Sequence, residues 1–329
     1  MNDRTIDSRT DGTGLSGGQA SDSGEEAGAK GWYPDRKGKF RDKVVAITGA
    51  GSGIGRALAI NLARRGARLS LSDYDPEGLA ETVRLVGLSS TYSQVVDVTK
   101  QEQVADWADQ TMAQFGVVHQ IYNIAGITKV NEGLPDTTYE EIARVLNVNL
   151  WGVIYGTLEF LPHIIESGDG HVINMSSILG YMALPGAGGY VTSKFAVRGF
   201  SETLRTEMLL VKFPVKITVV FPSGVKTGIA RSAAEESNNA LEESLRVYEK
   251  KIEKMTTEQC ADVILKGVAR GKSRVRMEQA VWMDWVVRLF PQTYPWFVST
   301  WSRHTFKFTM LDESEVAPQE EVQTEVSKS

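Results

Sequence analysis

The stretch Thr48-Gly49-Ala50-Gly51-Ser52-Gly53-Ile54-Gly55 decides the fold. The apolar run at 44–47 before it predicts a buried strand, and the run at 56–63 after it has the spacing and composition of a helix. A strand, a glycine-rich turn and a helix in this order place backbone N–H groups and a helix N-terminus against a phosphate. Glycine suits the turn because a side chain would hold a pyrophosphate away and because glycine tolerates positive φ. A dinucleotide site is therefore predicted, with a ligand-free glycine turn as the alternative.

The composition is that of a globular protein, and it excludes several classes of function. The 329 residues carry a net charge of −5, which gives no reason to expect nucleic-acid binding. The single cysteine, Cys260, excludes an internal disulfide and a multi-cysteine metal site, and the four histidines show no paired ligand spacing, so no metal site is predicted. No run has the length and apolarity of a signal peptide or a membrane span. We expect a cytoplasmic protein, with attachment to a membrane surface left open by the C-terminal segment.

Four regions follow from composition along the chain. Residues 1–31 and 312–329 are polar and poor in large apolar side chains, so both are predicted to be disordered tails. Residues 32–278 form the predicted catalytic domain. Residues 279–311 form an extension rich in aromatic side chains.

Strand-like and helical patterns alternate between the tails. Strands are predicted at 44–48, 68–72, 93–96, 118–122, 171–175, 216–221 and 273–277, and helices near 54–65, 76–86, 101–115, 138–167, 189–212 and 257–269. Strict alternation of apolar strands with helices implies a parallel sheet covered on both faces. The predicted fold class is therefore α/β, a doubly wound parallel sheet of the Rossmann type with about seven strands.

Asp73 stands at the end of the second predicted strand, about 20 residues after the glycine turn. A carboxylate there can accept hydrogen bonds from the adenosine ribose hydroxyls, and it would repel a 2′-phosphate. Tyr74 follows it and Ser52 lies in the turn, so neither place carries a basic residue. The pattern favours NAD over NADP, unless Asp73 is a plain turn residue.

The main chemical signal is Tyr190-Val191-Thr192-Ser193-Lys194. Tyr190 and Lys194 are four residues apart in a helical stretch, so both lie on one face, although a surface pair of this spacing is common. A phenol has an ordinary pKa near 10, and a nearby ammonium lowers it, so that a tyrosine can exchange a proton with an alcohol or ketone. Ser177 stands thirteen residues upstream at the end of a predicted strand, where its hydroxyl can hold a substrate oxygen.

In this combination the chain resembles the short-chain dehydrogenase/reductase family over about residues 41–278. The resemblance implies that Tyr190 is the acid/base and that Lys194 lowers its pKa and binds the nicotinamide ribose. It implies that Ser177 orients the substrate oxygen and that Asn149 supports a water-linked proton relay. Ser176 is the weaker serine candidate because its spacing to Tyr190 is one residue longer.

The resemblance also implies a set of cofactor contacts. An acidic residue at Asp97 faces the adenine edge in the family, and Thr227 with its neighbouring backbone binds the carboxamide. The sequence departs from the family pattern at Ile124, where asparagine is usual, and at Ser223, where glycine is usual. The implied cofactor-binding residues are Gly49, Ser52, Gly53, Ile54, Gly55, Asp73, Asp97, Val98, Asn123, Ala125, Gly126, Tyr190, Lys194, Pro222, Val225 and Thr227.

The extension holds four of the seven tryptophans between residues 280 and 310. Pro291 and Pro295 interrupt it, so it is not one transmembrane helix. Three interpretations stay open: peripheral membrane contact, packing on the domain or a second subunit over the substrate pocket, and an unassigned partner. The loops at 126–135, 174–188 and 227–254 are expected to set the substrate, and an apolar one is suggested by four residues expected to line the approach to Tyr190: Leu179, Tyr181, Met182 and Leu184.

The predicted function is hydride transfer between NAD and a lipophilic secondary alcohol or ketone. The resemblance implies a homo-oligomer paired through the long helices. Three alternatives are a cofactor-binding sensor or scaffold, a reductase of acyl-thioester ketones, and a membrane-attached module whose main task is recruitment.

Overall fold

Seven parallel strands make up the sheet in the part of the chain that the structure describes. This computed structural model describes residues 38–87, 90–129, 133–135, 137–227 and 254–305, all within the unit Tyr33–Ser329. The strand order is β3-β2-β1-β4-β5-β6-β7. The strands are β1 Val44–Thr48, β2 Arg68–Asp73, β3 Thr91–Val95, β4 Gln120–Asn123, β5 Gly170–Met175, β6 Val215–Phe221 and β7 Arg274–Arg276. The order reverses between β1 and β4, and the crevice at the carboxyl ends of such strands is where doubly wound sheets bind ligands.

Helices cover both faces of this sheet. Within the described residues they are α1 Gly53–Arg64, α2 Pro76–Val86, α3 Gln101–Phe115, α4 Tyr139–Leu146, α5 Gly152–Glu166, α6 Gly188–Leu210, α7 Thr257–Ala269, α8 Glu278–Leu289 and α9 Tyr294–Thr305. Val45 and Ile47 pack with residues of α1 and α7 in one core cluster, whereas Ala46 packs with residues of α3 and α5 in another. Alternate residues of one strand thus feed two cores, which confirms the predicted doubly wound α/β fold.

Most predicted boundaries lie within two residues of the observed ones, and two of the differences have a structural explanation. Strand β4 begins at Gln120 rather than at 118, because the Val44 N–H donates to His119 Nδ1 at 3.0 Å and the ladder with β1 starts only at Val45 and Gln120. The single helix predicted at 138–167 is instead α4, a π-helical turn at Asn147–Trp151, and α5. A π turn holds an extra residue and often marks a functional position.

Several sequence-based predictions fall outside the described residues. These are the two disordered tails and most of the substrate loop at 227–254. The boundary predicted between residues 278 and 279 falls at the first residue of α8. In the described ranges, none of the helices combines the length and apolarity required to cross a bilayer.

Candidate active site

The glycine turn between β1 and α1 brings the backbone close to the segment that follows β4. Gly49 has φ +68°, and a Cβ placed on it would lie 2.7 Å from the backbone nitrogen of Ala125. A Cβ on Gly55 would overlap the carbonyl oxygen of Gly49. Ser52 is the N-cap of α1, yet its side chain makes no capping hydrogen bond. The first amides of the helix are therefore left for an anion, and the turn fits the pyrophosphate of a dinucleotide.

Asp73 is held beside this turn. Its Oδ2 accepts a hydrogen bond from the Gly51 N–H at 2.7 Å, and its Oδ1 accepts one from the Asp75 N–H at 2.9 Å. A carboxylate has about four lone-pair positions, so it can still accept from the two hydroxyls of a ribose. Tyr74, the next residue, is 76% exposed. The structure thus brings Asp73 to the glycine turn as the sequence predicts.

Arg56 is a basic residue at the turn that sequence reasoning missed. Its guanidinium donates to the carbonyl oxygen of Gly51, to that of Gly78 at 3.2 Å, and to Thr82 Oγ1 at 2.9 Å. Thr82 Oγ1 in turn donates to the carbonyl oxygen of Ala50 at 2.8 Å. Arg56 therefore joins the glycine turn to α2 through neutral acceptors, a role that its place in α1 does not reveal.

Thr48 and the segment after β4 are also connected by hydrogen bonds. Thr48 Oγ1 accepts from the backbone N–H groups of Ile124 at 3.0 Å and Ala125 at 3.2 Å. The threonine that opens the motif therefore fixes the path of the chain toward Gly126. Because Ile124 contributes its backbone here, the loss of the usual asparagine side chain leaves this contact in place.

The side chain of Asn123 lies away from the cofactor crevice. It is 1% exposed, and its Nδ2 donates to Thr157 Oγ1 at 3.0 Å and Asn174 Oδ1 at 2.8 Å. These bonds join β4 to β5 and α5. Asn123 could therefore contact the cofactor, as the resemblance implies, only through its backbone. The residue type alone does not reveal the direction of the side-chain amide.

Lys194 is almost fully buried beneath the site. It is 3% exposed, its Nζ donates to the carbonyl oxygen of Met175 at 3.1 Å, and that nitrogen lies 5.4 Å from the centroid of the Tyr190 ring. Burial lowers the pKa of Lys194 to about 8. The ammonium therefore faces the aromatic ring of Tyr190, as their spacing on α6 predicts.

Ser177 and Tyr190 meet through their side chains. A hydrogen bond between the two hydroxyl groups lowers the pKa of Tyr190, but burial has the larger effect and raises that pKa above its ordinary value of 10.0. The sequence predicted that the Lys194 ammonium would lower it. In this structure the ammonium lies against the ring rather than at the phenol oxygen, and burial dominates.

The two adjacent serines face different partners. Ser176 is 1% exposed and donates from its Oγ to the carbonyl oxygen of Lys194 at 2.8 Å. Ser177, 8% exposed, accepts from the Leu179 N–H at 3.2 Å, and its hydroxyl is close enough to Tyr190 to lower the pKa of that phenol. Ser176 therefore fastens β5 to α6, and Ser177 is the serine beside the phenol.

Asn149 projects from the π turn and is fully buried. Its Oδ1 accepts from the Ile127 N–H at 2.8 Å, and its Nδ2 donates to the Ile127 carbonyl at 2.9 Å and to Ser193 Oγ at 3.1 Å. Ser193 donates onward to the carbonyl oxygen of Tyr190 at 2.6 Å. The sequence analysis did not predict the contacts of Asn149 with Ile127 and Ser193. Ile127 takes part through its backbone, which no sequence motif marks, and the role of Ser193 inside a helix is likewise unmarked.

Gly126 shows how closely these groups converge. A Cβ on Gly126 would lie 3.2 Å from Asn149 Oδ1 and 3.6 Å from Lys194 Nζ. The segment after β4, the π turn and α6 therefore meet at one point. The four predicted catalytic residues are together: Lys194 contacts Tyr190, Tyr190 contacts Ser177, and Asn149 lies beside Lys194.

The loop after β6 runs from the backbone beside Ser177 to the glycine turn. The Ile178 N–H donates to the carbonyl oxygen of Pro222 at 2.9 Å. At the other end of the loop, the Thr227 side chain would lie 3.8 Å from a Cβ on Gly53, and Val225 is buried. Thr227 is therefore placed against the start of α1, beside the predicted phosphate site.

Asp97 and Val98 form the turn that follows β3. Asp97 Oδ1 accepts from the N–H and the hydroxyl of Thr99, at 2.9 Å and 2.8 Å. Val98 is 8% exposed and packs so closely on α5 that a Cβ on Gly152 would lie 2.8 Å from its Cγ2. Their described contacts shape the loop, and their implied contacts with an adenine stay a prediction.

Tyr181 and Met182 do not line an open approach to Tyr190. Tyr181 is 2% exposed and stacks on Phe221 with ring centroids 4.2 Å apart, and Met182 is 6% exposed. Leu179 and Leu184 are half-buried. Two of the four expected lining residues thus belong to the core.

Comparison with known proteins gives the same assignment as the geometry. The model of the short chain dehydrogenase family matches residues 43–238. SadH of Mycobacterium tuberculosis is 44% identical over 258 residues, covering 78% of this chain and 93% of SadH. Levodione reductase of Leifsonia aquatica is 31% identical over 218 residues, covering 64% of this chain and 81% of that protein.

A solved structure supports the fold independently. The crystal structure of a short chain dehydrogenase/reductase from Burkholderia phymatum in complex with NAD superposes with a TM-score of 0.71 at 28% identity. The match covers 79% of this chain and 96% of that one. With the family model covering more than half of its length, the chain belongs to the short-chain dehydrogenase/reductase family of oxidoreductases.

Proposed function

We propose that the protein catalyses NAD-dependent interconversion of a lipophilic secondary alcohol and its ketone. The observation that carries the proposal is the meeting of four side chains. The buried Lys194 lies 5.4 Å from the centroid of the Tyr190 ring, Asn149 and Lys194 converge at Gly126, and Ser177 is close enough to Tyr190 to lower its pKa. A hydroxyl pair of this kind can bind one substrate oxygen and move its proton.

The residues that would hold the cofactor run along the crevice. The glycine turn and the N-terminus of α1 take the pyrophosphate, Asp73 takes the adenosine ribose, and Thr227 and Lys194 serve the nicotinamide end. When bound, the nicotinamide accepts or supplies the hydride.

Tyr190 moves the proton at the substrate oxygen. In alcohol oxidation its phenolate takes the hydroxyl proton, and in ketone reduction its phenol returns it. Ser177 donates a hydrogen bond to the same oxygen as negative charge develops there. The ammonium of Lys194, 5.4 Å from the centroid of the Tyr190 ring, would attract the phenolate that forms in the reaction cycle. Asn149 stands beside Lys194, where it can support a water-linked path for the proton.

The preference for NAD is argued from charge at the ribose. Asp73 is held at the turn, where its carboxylate would repel a 2′-phosphate, and Arg56 is engaged with neutral acceptors. The Burkholderia phymatum relative was crystallised with NAD. A lipophilic ketone is favoured by the half-buried Leu179 and Leu184 and by the name of the levodione reductase relative.

The proposal extends to assembly and location. Exposed apolar side chains on the π turn, α5 and α6, namely Trp151, Leu158 and Phe195, suit pairing of these helices in a homo-oligomer. We place the protein in the cytoplasm, in keeping with the single cysteine, Cys260, which is a buried free thiol.

The test follows nicotinamide absorbance with NAD or NADP and a panel of lipophilic secondary alcohols, ketones and acyl-thioester ketones. We expect NAD-linked turnover that falls by about 10²–10⁴-fold in Tyr190→Phe, which removes the proton-transfer group. Tyr139→Phe, at an exposed tyrosine of α4, is the matched control and should be unchanged.

Each contrary result points to a different alternative. Turnover preserved in Tyr190→Phe would refute its role as acid/base. Tight NAD binding without turnover on any member of the panel would favour a sensor or scaffold. Preference for the acyl-thioester ketones would replace the proposed substrate class.

A further inference from the structure

Helix α8 turns its only described acidic side chain inward. Asp284 is 5% exposed and accepts from Arg276 Nη1 at 2.9 Å and from Arg288 Nε at 2.7 Å. Ala280, one turn earlier, is fully buried in a cluster with Tyr181 and Phe221. These contacts fix which face of α8 rests on the domain.

The opposite face of α8 is apolar and open. Its exposed side chains recur at helical spacing, with Trp282 at 70%, Trp285 at 60% and Leu289 at 64% exposure. A single exposed apolar residue needs no explanation, but a clustered set marks an interaction surface.

Helix α9 continues the same character. Val298 and Ser302 are buried, whereas Trp296, Phe297 and Trp301 are 65%, 58% and 45% exposed. The rings of Trp296 and Phe297 touch edge to face with centroids 4.9 Å apart. Four of the seven tryptophans of the chain are thus exposed on these two helices.

A basic cleft borders the open face of α8. A shallow cavity of about 170 Å³ is lined by Lys266, Arg270, Lys272, Arg274 and Arg276 together with Val281 of α8. Lys266, Arg270 and Lys272 are exposed. Across residues 266–305 there are seven Lys and Arg against two Asp and Glu, a net charge of +5 in a chain of net charge −5.

We propose that α8, α9 and this basic cleft form a docking surface for a membrane that contains anionic lipids. Tryptophan rings are enriched at the level of the headgroups, and basic side chains beside them are attracted to anionic lipid. A second copy of the chain is disfavoured, because a symmetric contact through this face would bring two positively charged clefts together. The surface is independent of the substrate proposed for the active site.

The experiment measures co-sedimentation of the full-length protein with vesicles. Phosphatidylcholine vesicles are compared with vesicles that also contain phosphatidylglycerol, at low and at physiological salt. We expect binding to the anionic vesicles that weakens as salt is added, because the Debye length shortens from about 30 Å at 0.01 M to about 8 Å at 0.15 M ionic strength. Arg270→Gln with Lys272→Gln should weaken binding by roughly 25-fold, at about five-fold per charge.

Matched controls separate the surface from general effects of mutation. Arg64→Gln with Arg205→Gln removes the same charge from exposed positions elsewhere and should leave binding within about two-fold. Trp282→Ser with Trp285→Ser should weaken binding at least about ten-fold, whereas Tyr139→Ser should not. Circular dichroism and cofactor binding verify that each variant is folded.

Three results would overturn the inference. The first is wild-type protein that does not sediment with anionic vesicles. The second is equal binding to both vesicle types with no effect of the Arg270 and Lys272 changes. The third is a tryptophan double variant that still binds vesicles normally but changes oligomeric state in solution, which would assign the face to contacts between copies.

Discussion

Replacing Asn149 with alanine tests how the π turn shapes the active site. The Asn149 side chain makes three hydrogen bonds, two of them to the backbone N–H and C=O of Ile127 at 2.8 Å and 2.9 Å. Alanine removes all three and leaves both groups of Ile127 without these partners. Ser193 keeps its bond to the carbonyl oxygen of Tyr190 at 2.6 Å.

The cost follows from those two backbone groups. An unpaired buried polar group costs about 1–3 kcal/mol, and Ile127 is half-buried, so water recovers part of that penalty. We expect the free energy of unfolding to fall by about 2–4 kcal/mol in Asn149→Ala. Ser193→Ala removes the third bond and also the bond from Ser193 to the carbonyl oxygen of Tyr190, and it should cost about 1–2 kcal/mol.

Urea unfolding followed by circular dichroism measures both variants, with activity recorded alongside. The expected order is a larger loss in Asn149→Ala than in Ser193→Ala. A loss below about 1 kcal/mol in Asn149→Ala would refute the conclusion that this side chain holds the segment after β4.

Three further predictions concern charge. Asp73→Ser with Tyr74→Arg should shift the ratio of kcat/KM for NAD over NADP by at least about ten-fold toward NADP, because repulsion of the 2′-phosphate is replaced by attraction. An unchanged ratio would contradict the assignment of Asp73 to the ribose. Burial lowers the pKa of Lys194 from 10.5 to about 8, so between these pH values the unfolded chain holds the proton and the free energy of unfolding of the wild type should rise with pH. In urea unfolding between pH 7.5 and 10, the rise should be smaller in Lys194→Met by roughly 2–3 kcal/mol. Parallel pH profiles for the two proteins would count against this prediction. His171 is hydrogen-bonded to Thr218 at 2.7 Å, and burial lowers its pKa to about 3. Below pH 6 the unfolded chain takes up the proton, so the free energy of unfolding of the wild type should fall by about 1.4 kcal/mol per pH unit. His171→Gln should flatten that slope, and an equally steep slope in the variant would contradict the prediction.

The parts of the site that could be predicted depend on local spacing. The glycine turn, Asp73 and the pair Tyr190 and Lys194 are set by a strand followed by a helix, or by one face of a helix, and these periodicities are visible in the sequence. The alternation of strands and helices likewise sufficed for the fold class.

The parts that could not be predicted depend on distant packing. Asn123 turns its amide toward Thr157 and Asn174 because β4, α5 and β5 meet there, 34 and 51 residues away along the chain. Tyr181 is buried because α8 covers it with Ala280, and nothing beside Ser177 in sequence reveals that cover. The interruption at Asn147–Trp151 lies within one continuous helical stretch of 138–167, and nothing in the spacing of its residues distinguishes a π turn from an α-helix.

That interruption makes the number of residues between α4 and α5 a constraint of its own. Each helical residue advances by about 100°, so deleting one residue from the π turn would restore a regular helix and rotate everything beyond it by that angle. Val145 and Phe160, both buried in this structure, could then no longer face their cores together. We expect homologues to tolerate substitutions in this segment but to keep its length. Insertions and deletions between α4 and α5 should therefore be rarer among homologues than substitutions at the same positions.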